Sequence, residues 1–231
     1  MVTVLFLLTG ISSIAQITVT SSANSGAGTL RQAVNDIPAG GTILFDAALN
    51  GTTLTLTDAI VINKNIIING NTGGTMLSGG GSMRIFNITS GNVTLNNLML
   101  SDGLNGSGGA VHISGGTVLV NNSTFSGNEA NGGAATEGGG AIYIENAQLT
   151  LNACTFSGNE ASGASGSGGA ILAAAGATLT VNGATFEGNS ANRAGGAIEG
   201  NGGSTIALND VTLEENMTGS NPGNGGGLHI T

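Results

Sequence analysis

The stretch GGAIYIENAQLTLNACTFSGN, residues 139–159, decides the fold because near copies of it recur on both sides. Each copy opens with a glycine pair, and the first glycines are Gly108, Gly139, Gly168, Gly195 and Gly225. The steps between them are 31, 29, 27 and 30 residues. The first four copies end in an F-x-x-N motif, at Phe125/Asn128, Phe156/Asn159, Phe186/Asn189 and Leu213/Asn216. The last of these motifs is a weakened form, with leucine in place of phenylalanine. Repeats of this length with short apolar alternations predict a stacked solenoid.

Three segments in each repeat alternate with period two, which predicts strands over 141–144, 148–152 and 154–158 in the copy above. The alternation turns one set of side chains inward, namely Ile142, Ile144, Leu149, Leu151, Cys154 and Phe156. It turns Tyr143, Thr150 and Thr155 outward. Strands of successive coils then pair in parallel, which predicts an all-β, right-handed parallel β-helix of about seven coils.

Several residue types recur at fixed places and are predicted to form columns along the solenoid. One asparagine ladder is Asn96, Asn121, Asn152, Asn182 and Asn209, and the other is Asn128, Asn159, Asn189 and Asn216. We expect each amide to bond the next coil while the residue takes left-handed turn geometry. Phe125, Phe156 and Phe186 are predicted to stack inside at about 4.8 Å, the spacing of strands. We assign these columns to stability.

The glycine pair is predicted to supply positive φ or close backbone approach. Nearly all the length variation between repeats falls in one loop, which covers residues 129–138, 160–167, 190–194 and 217–224. Variable polar loops on a rigid scaffold are typical of recognition surfaces. The alternative is that these loops are spacers without a ligand.

The two ends of the chain differ from the repeats. Residues 1–15 are an apolar run that ends in a small-x-small site, which predicts a secretory signal peptide, although no Lys or Arg precedes the run. Residues 16–40 are predicted to be a cap, with one short helix whose capping box is Thr29 and Gln32. Residues 41–231 are the β-helix, with the glycine-pair repeats over 108–231. Because the chain stops inside a coil, we expect Thr231 to be a break in a longer sequence.

Composition excludes several partners. The 43 glycines and 7% charged residues are far from ordinary globular usage, and the formal charge is −9. This charge disfavours nucleic acid and anionic membranes, whose binding needs cations. We expect a membrane link only through an anchor missing from this sequence. The lone cysteine after the predicted signal, Cys154, excludes disulfide stapling and fits a small buried residue.

The outward column of the first strand carries the only candidates for a surface site. Register places His112, Tyr143, Leu172, Glu199 and His229 in it, with Glu199 and His229 one coil apart and in reach of each other. Tyr143, Glu199 and His229 are therefore the site candidates, although an exposed acid beside a histidine is ordinarily a weak surface pair.

The aspartates do not cluster, so no metal, cofactor or catalytic set is predicted. The outward threonines also raise the alternative of an ice-binding or mineral-binding face. This alternative is weaker, because the columns beside the threonines hold mixed residue types.

The repeats carry a family resemblance. GGAV, three copies of GGAI, and GGGL alternate with FSGN, FEGN and LEEN, and this pattern resembles the polymorphic outer-membrane proteins and related bacterial surface β-helices. The segment ITVTSSANSGAGTLRQAVND followed by TILFD is similar to the capping module of secreted bacterial β-helices. The resemblance implies an extracellular or cell-surface passenger, associated with the outer membrane and often adhesive. It supplies no catalytic residues.

We therefore expect a non-catalytic structural and adhesive module whose partner is a glycan or protein on a host or neighbouring cell. We expect it to be a monomer. The alternative is a carbohydrate-active enzyme, a polysaccharide lyase or glycoside hydrolase on a pectate-lyase-like β-helix. That chemistry needs paired carboxylates, whereas the acids of this sequence are mostly isolated.

Overall fold

The chain folds into a parallel β-helix, described by a computed structural model over residues 15–219 and 223–231. Every strand pairing within these residues is parallel and joins successive coils, as between Gln148–Asn152 and Thr178–Asn182. The predicted fold class is confirmed. The predicted signal peptide lies outside the described residues, apart from Ala15.

Three long sheets run the length of the solenoid within the described residues. Sheet 1 comprises Gln16–Val19, Gly41–Phe45, Ile66–Asn69, Asn92–Asn96, Thr117–Asn121, Gln148–Asn152, Thr178–Asn182 and Thr205–Asn209. Sheet 2 comprises Thr53–Thr55, Thr75–Ser78, Leu98–Ser101, Thr124–Ser126, Thr155–Ser157, Thr185–Glu187 and Thr212–Glu214. Sheet 3 comprises Ile60–Ile62, Phe86–Ile88, Val111–Ile113, Ile142–Ile144, Ile171–Ala173, Ile198–Gly200 and Leu228–Ile230. Seven of the sheet 1 strands begin at Gly41 or later, and the strand before the helix adds an eighth.

A fourth sheet was not predicted. It comprises the two-residue strands Leu104–Asn105, Glu129–Ala130, Glu160–Ala161, Ser190–Ala191 and Met217–Thr218. Four of these strands occupy the first two positions of the predicted variable loops. At the other end of the loops, parallel bridges link Gly138, Ser167, Ala194 and Asn224 in turn. The loops are therefore shorter than predicted and paired to neighbouring coils at both ends.

One short α-helix, Leu30–Asp36, precedes the first full coil, and a 3-10 turn covers Ala47–Leu49. The helix buries Leu30, Ala33 and Val34 and contacts strands at the N-terminal edges of sheets 1 and 3. Thr29 Oγ1 accepts from the Gln32 N–H at 3.3 Å, but the Gln32 side chain donates to Asp36. The predicted capping box is thus only half made, because the Thr29 N–H already donates to Gly26. The role of the segment as a cap stays a prediction.

The interior is a continuous apolar core. Every side chain predicted to point inward in the 139–159 copy is at most 1% exposed. The rings of Phe125, Phe156 and Phe186 stack with centroids 4.6 Å apart and an interplanar angle of 3°. This spacing matches the rise from one strand to the next. Each coil therefore repeats the packing of its neighbour.

The two glycines of each pair have separate tasks. Gly139 has φ +66°, and a Cβ there would stand 2.1 Å from the Ile142 carbonyl oxygen. Gly140 has ordinary φ, but a Cβ there would stand 2.2 Å from the carbonyl oxygen of Gly169 in the next coil. The first position needs the left-handed conformation and the second needs close approach between coils. Both predicted reasons therefore apply.

The ladder asparagines do not take the left-handed conformation, so that part of the prediction is wrong. In the first ladder the next residue takes it instead, as Ala153 does with φ +50° after Asn152. In the second ladder the preceding residue does, as Gly158 does with φ +59° before Asn159. The physical reason in the first ladder is that Asn152 still pairs as the last residue of its strand, which requires extended backbone.

Candidate functional site

The two asparagine ladders run along opposite ends of the sheet 2 strands. In the first ladder each amide nitrogen donates to the preceding coil, with Asn121 to Asn96 at 2.7 Å and Asn152 to Asn121, Asn182 to Asn152 and Asn209 to Asn182 at 2.8 Å. In the second each donates to the following coil, with Asn128 to Asn159 and Asn159 to Asn189 at 2.9 Å and Asn189 to Asn216 at 2.8 Å. Both ladders satisfy polar groups between coils, so these residues support the scaffold.

The second ladder is the more deeply buried of the two. Asn128, Asn159 and Asn189 are fully buried, whereas the members of the first ladder are half-buried or exposed. Asn159 also donates from Nδ2 to the Phe125 carbonyl at 3.0 Å, and its Oδ1 accepts from the Asn128 backbone N–H at 3.1 Å. Its side chain thus joins the coil that carries the Phe125 ring to its own.

Cys154 is buried in the column next to the phenylalanines. Its thiol lies 3.4 Å from the Asn152 carbonyl oxygen and 3.6 Å from that of Val120. Burial raises the pKa of this thiol to about 11, so the nucleophilic thiolate is scarce at neutral pH. This environment suits a small core residue better than a catalytic one.

The outward column of sheet 3 brings the predicted site residues into register. His112, Tyr143, Leu172, Glu199 and His229 pair in that order along successive strands. The column is not an open surface, since Tyr143 is 9% exposed and Leu172 and Glu199 are 0% exposed. The interpretation of Glu199 as an exposed acid is therefore wrong.

Loop residues account for the burial of Glu199. Arg193, from the loop after Ser190–Ala191, donates from Nη2 to Glu199 Oε1 at 3.3 Å and to the Ala135 carbonyl at 3.4 Å. Its Nε donates to the buried Ser167 hydroxyl at 2.8 Å. Arg193 thus contacts a residue that lies 58 positions earlier in the sequence. The loops fold back over sheet 3 instead of standing away from it.

The Glu199 cluster consists of Glu199, Arg193 and His229. His229 Nδ1 lies 2.8 Å from Glu199 Oε2, so each carboxylate oxygen has a partner. The side chains of Arg193 and His229 are each about one-fifth exposed, which leaves Glu199 as the only fully buried member. A buried carboxylate requires such partners, and removal of one partner is costly. Because both oxygens are engaged, the cluster suits a role in holding the loops.

A second polar group lies at the other end of the column. Glu145 Oε1 stands 3.3 Å from His112 Nε2, and Tyr143 donates to Glu145 Oε2 at 3.5 Å. The His112 and Tyr143 rings meet edge to face at 5.1 Å. Sequence reasoning missed Glu145, although it lies two residues after Tyr143 and therefore on the same face of the chain.

Burial sets the protonation states in this second group. Desolvation lowers the pKa of His112, assisted by Arg84 and opposed by Glu145. Desolvation raises the pKa of Tyr143, again with a contribution from Glu145. At neutral pH the imidazole and the phenol are therefore both uncharged, since their ordinary pKa values are about 6.5 and 10. This group offers hydrogen bonds instead of a proton-transfer pair.

A cavity of about 500 Å³ opens beside Tyr143. Its lining includes Thr136, Tyr143, Glu145, Ala174, Ala175 and Asn201. Thr136 comes from the loop between Ala130 and Gly138, whereas the others belong to sheet 3 and the turns that follow it. This volume falls in the range of small-molecule sites.

The described residues offer no metal site and no membrane helix. Among residues 15–219 and 223–231, no three His, Cys, Asp or Glu side chains come together as metal ligands. In the same ranges, no helix has the length and apolar character needed to cross a bilayer.

A protein-family model matches one segment of the chain. The sequence model of the Chlamydia polymorphic membrane protein repeat matches residues 153–174, which run from the end of one coil into the GGAI motif of the next. A comparison with curated protein sequences finds no match. The repeat match and the parallel solenoid together fit a β-helix of the polymorphic outer-membrane protein type.

Proposed function

We propose that this chain is a non-catalytic adhesive module that presents the loops covering sheet 3 to a glycan or protein on a host or neighbouring cell. The polymorphic membrane protein repeat implies association with the outer membrane or cell surface. In this proposal the chain acts as a monomer and does not bind nucleic acid. The adhesive and non-catalytic roles go beyond what the repeat itself implies.

The observation that carries the proposal is the anchoring of the variable loops. Each of the loops 131–137, 162–166 and 192–193 lies between a two-residue strand and a parallel bridge to the next coil. Arg193 joins one loop to another through the Ala135 carbonyl. Loops that differ in sequence yet are fixed in position form a preorganised surface, which lowers the entropy cost of binding.

The state of Glu199 weighs against a glycosidase or lyase. A glycosidase needs two carboxylates that face the scissile bond, one of them free to give up a proton. Glu199 is fully buried, and its two oxygens already contact Arg193 and His229. Glu145, the acid of the second polar group, belongs to a coil two steps earlier.

The test is to incubate the chain with a panel of polysaccharides and with cultured cells, measuring both released sugar and retained protein. We expect retention on at least one surface without release of cleavage products. Turnover that disappears in Glu199→Ala would favour the enzyme instead. Absence of retention on every surface would contradict the adhesive role.

A further inference from the structure

We propose that the cavity beside Tyr143 binds a neutral, hydroxyl-rich sugar residue at the end of a glycan chain. This inference rests on the proposed adhesive function and names the class of ligand. The side chains that line this cavity do not belong to the Glu199 cluster.

The floor of the cavity is formed by small residues between two polar side chains. The turns after sheet 3 place Glu145, Ala174 and Asn201 at equivalent positions of three successive coils, each following a paired strand residue. Ala175 and Gly202 are the next residues of the last two turns, and both are exposed. Glu145 and Asn201 therefore stand two coils apart, about 9.6 Å by strand spacing, across an alanine floor.

This arrangement suits a ring that carries hydroxyls on both edges. The Glu145 carboxylate accepts hydrogen bonds, and the Asn201 amide both donates and accepts them. Thr136 adds a hydroxyl from the covering loop. The floor between these groups presents only methyl groups and backbone, against which the C–H face of a sugar can pack.

The principal acceptor is held in place before any ligand arrives. Tyr143 donates to Glu145 Oε2, and His112 Nε2 contacts Oε1. The Glu145 side chain remains 35% exposed, so lone pairs on both oxygens are left for a ligand. The covering loop is fixed as well, because Arg193 binds the carbonyl of Ala135, the neighbour of Thr136. Preorganised polar groups of this kind lower the cost of binding.

Charge decides between neutral and acidic sugars. Among the described lining residues there is no Lys or Arg, while Glu145 contributes a carboxylate. The formal charge of the chain is −9. An acidic sugar would therefore meet repulsion without a cation to pair with, whereas a neutral sugar meets no such penalty.

The test uses the whole chain and measures binding of methyl glycosides of galactose, glucose, mannose and N-acetylglucosamine by titration calorimetry or ligand-observed NMR. Sialic acid and glucosamine serve as the acidic and cationic probes. Ala175→Leu fills the floor from an exposed position, and Glu145→Gln removes the charge with little change of shape. Glu187→Gln, an exposed acid on sheet 2, is the matched control.

We expect at least one neutral glycoside to bind and its affinity to fall about tenfold or more in Ala175→Leu and Glu145→Gln, with Glu187→Gln unchanged. Unfolding temperatures should match the parent, which separates lost binding from lost folding. Tighter binding of sialic acid or glucosamine would overturn the proposal. So would neutral binding that both cavity variants leave intact.

Failure of this proposal is distinct from failure of the proposed function. If the chain adheres to cells but binds no neutral glycoside, the cavity assignment is wrong and the adhesive role stands. If it neither adheres nor binds any probe, both are wrong.

Discussion

The inside and the outside of the same coils follow different rules. Inside, the Phe125, Phe156 and Phe186 rings stack at a constant 4.6 Å, so one coil predicts the next. On the outer face of sheet 3, the paired positions of successive coils hold His112, Tyr143, Leu172, Glu199 and His229, and no two neighbours are the same residue type. Repetition inside therefore maintains the register of the solenoid, while the residues that differ between coils lie on the side that the loops cover.

The largest expected effect is on the inner column. Phe156→Ala removes a fully buried ring from between two stacked rings and should lower the free energy of unfolding by about 3–5 kcal/mol. Thr155→Ala changes the exposed neighbour and should stay within about 0.5 kcal/mol of the parent. Denaturant unfolding of both variants measures the contrast. A loss below about 1 kcal/mol for Phe156→Ala would contradict a tightly packed column.

The two asparagine ladders sharpen the comparison because they differ in burial and in their bonds to backbone groups. Asn159→Ala leaves buried partners unsatisfied and should cost about 2–3 kcal/mol of unfolding free energy. Asn152→Ala removes only the bonds to Asn121 and Asn182, at a half-buried site where water replaces them, and should cost about 0.5–1.5 kcal/mol. Both costs come from the same unfolding experiment. Equal losses would show that the deeper burial and the backbone bonds of Asn159 add no stability.

The outer column should respond more mildly, because its charged partners reach solvent. Glu199→Gln keeps the shape but removes the charge that pairs Arg193 with His229, and about 1–2 kcal/mol of stability should be lost. Amide hydrogen exchange should also increase in the loop that contains Ala135, which Arg193 contacts. Glu187→Gln on sheet 2 is the control. Unchanged exchange in that loop would indicate that the cluster does not hold it.

The smallest effect concerns pH. Burial lowers the pKa of His112, so the folded state disfavours its protonation. The contribution of His112 to stability is therefore full above its unfolded pKa of about 6.5 and is lost as pH falls through the lower folded value. NMR titration of the imidazole should give a pKa below that of a free histidine, and Glu145→Gln should lower it further, since Glu145 raises it. A pKa above the free value would contradict the burial.

The sequence predicted the parallel solenoid and its register because the columns repeat. A period near thirty residues places Phe125 over Phe156 without further information, and Glu199 beside His229 in the same way. The sequence did not predict the cover over sheet 3, which depends on the contact of Arg193 with Ala135 between loops of unequal length. Glu145 was not predicted because the residues at the same turn position in the next two coils, Ala174 and Asn201, differ from it chemically. The three residues therefore form no recognisable column in the sequence.

The most direct measurement compares adhesion of the whole chain with that of two variants. In one, residues 131–137 are replaced by a Gly/Ser segment of equal length; in the other, Thr124, Thr155 and Thr185 of sheet 2 become serine. We expect the loop variant to lose most of its retention on cells while keeping a cooperative unfolding transition, and the serine variant to be retained like the parent. Full retention of the loop variant, or loss confined to the serine variant, would contradict this expectation.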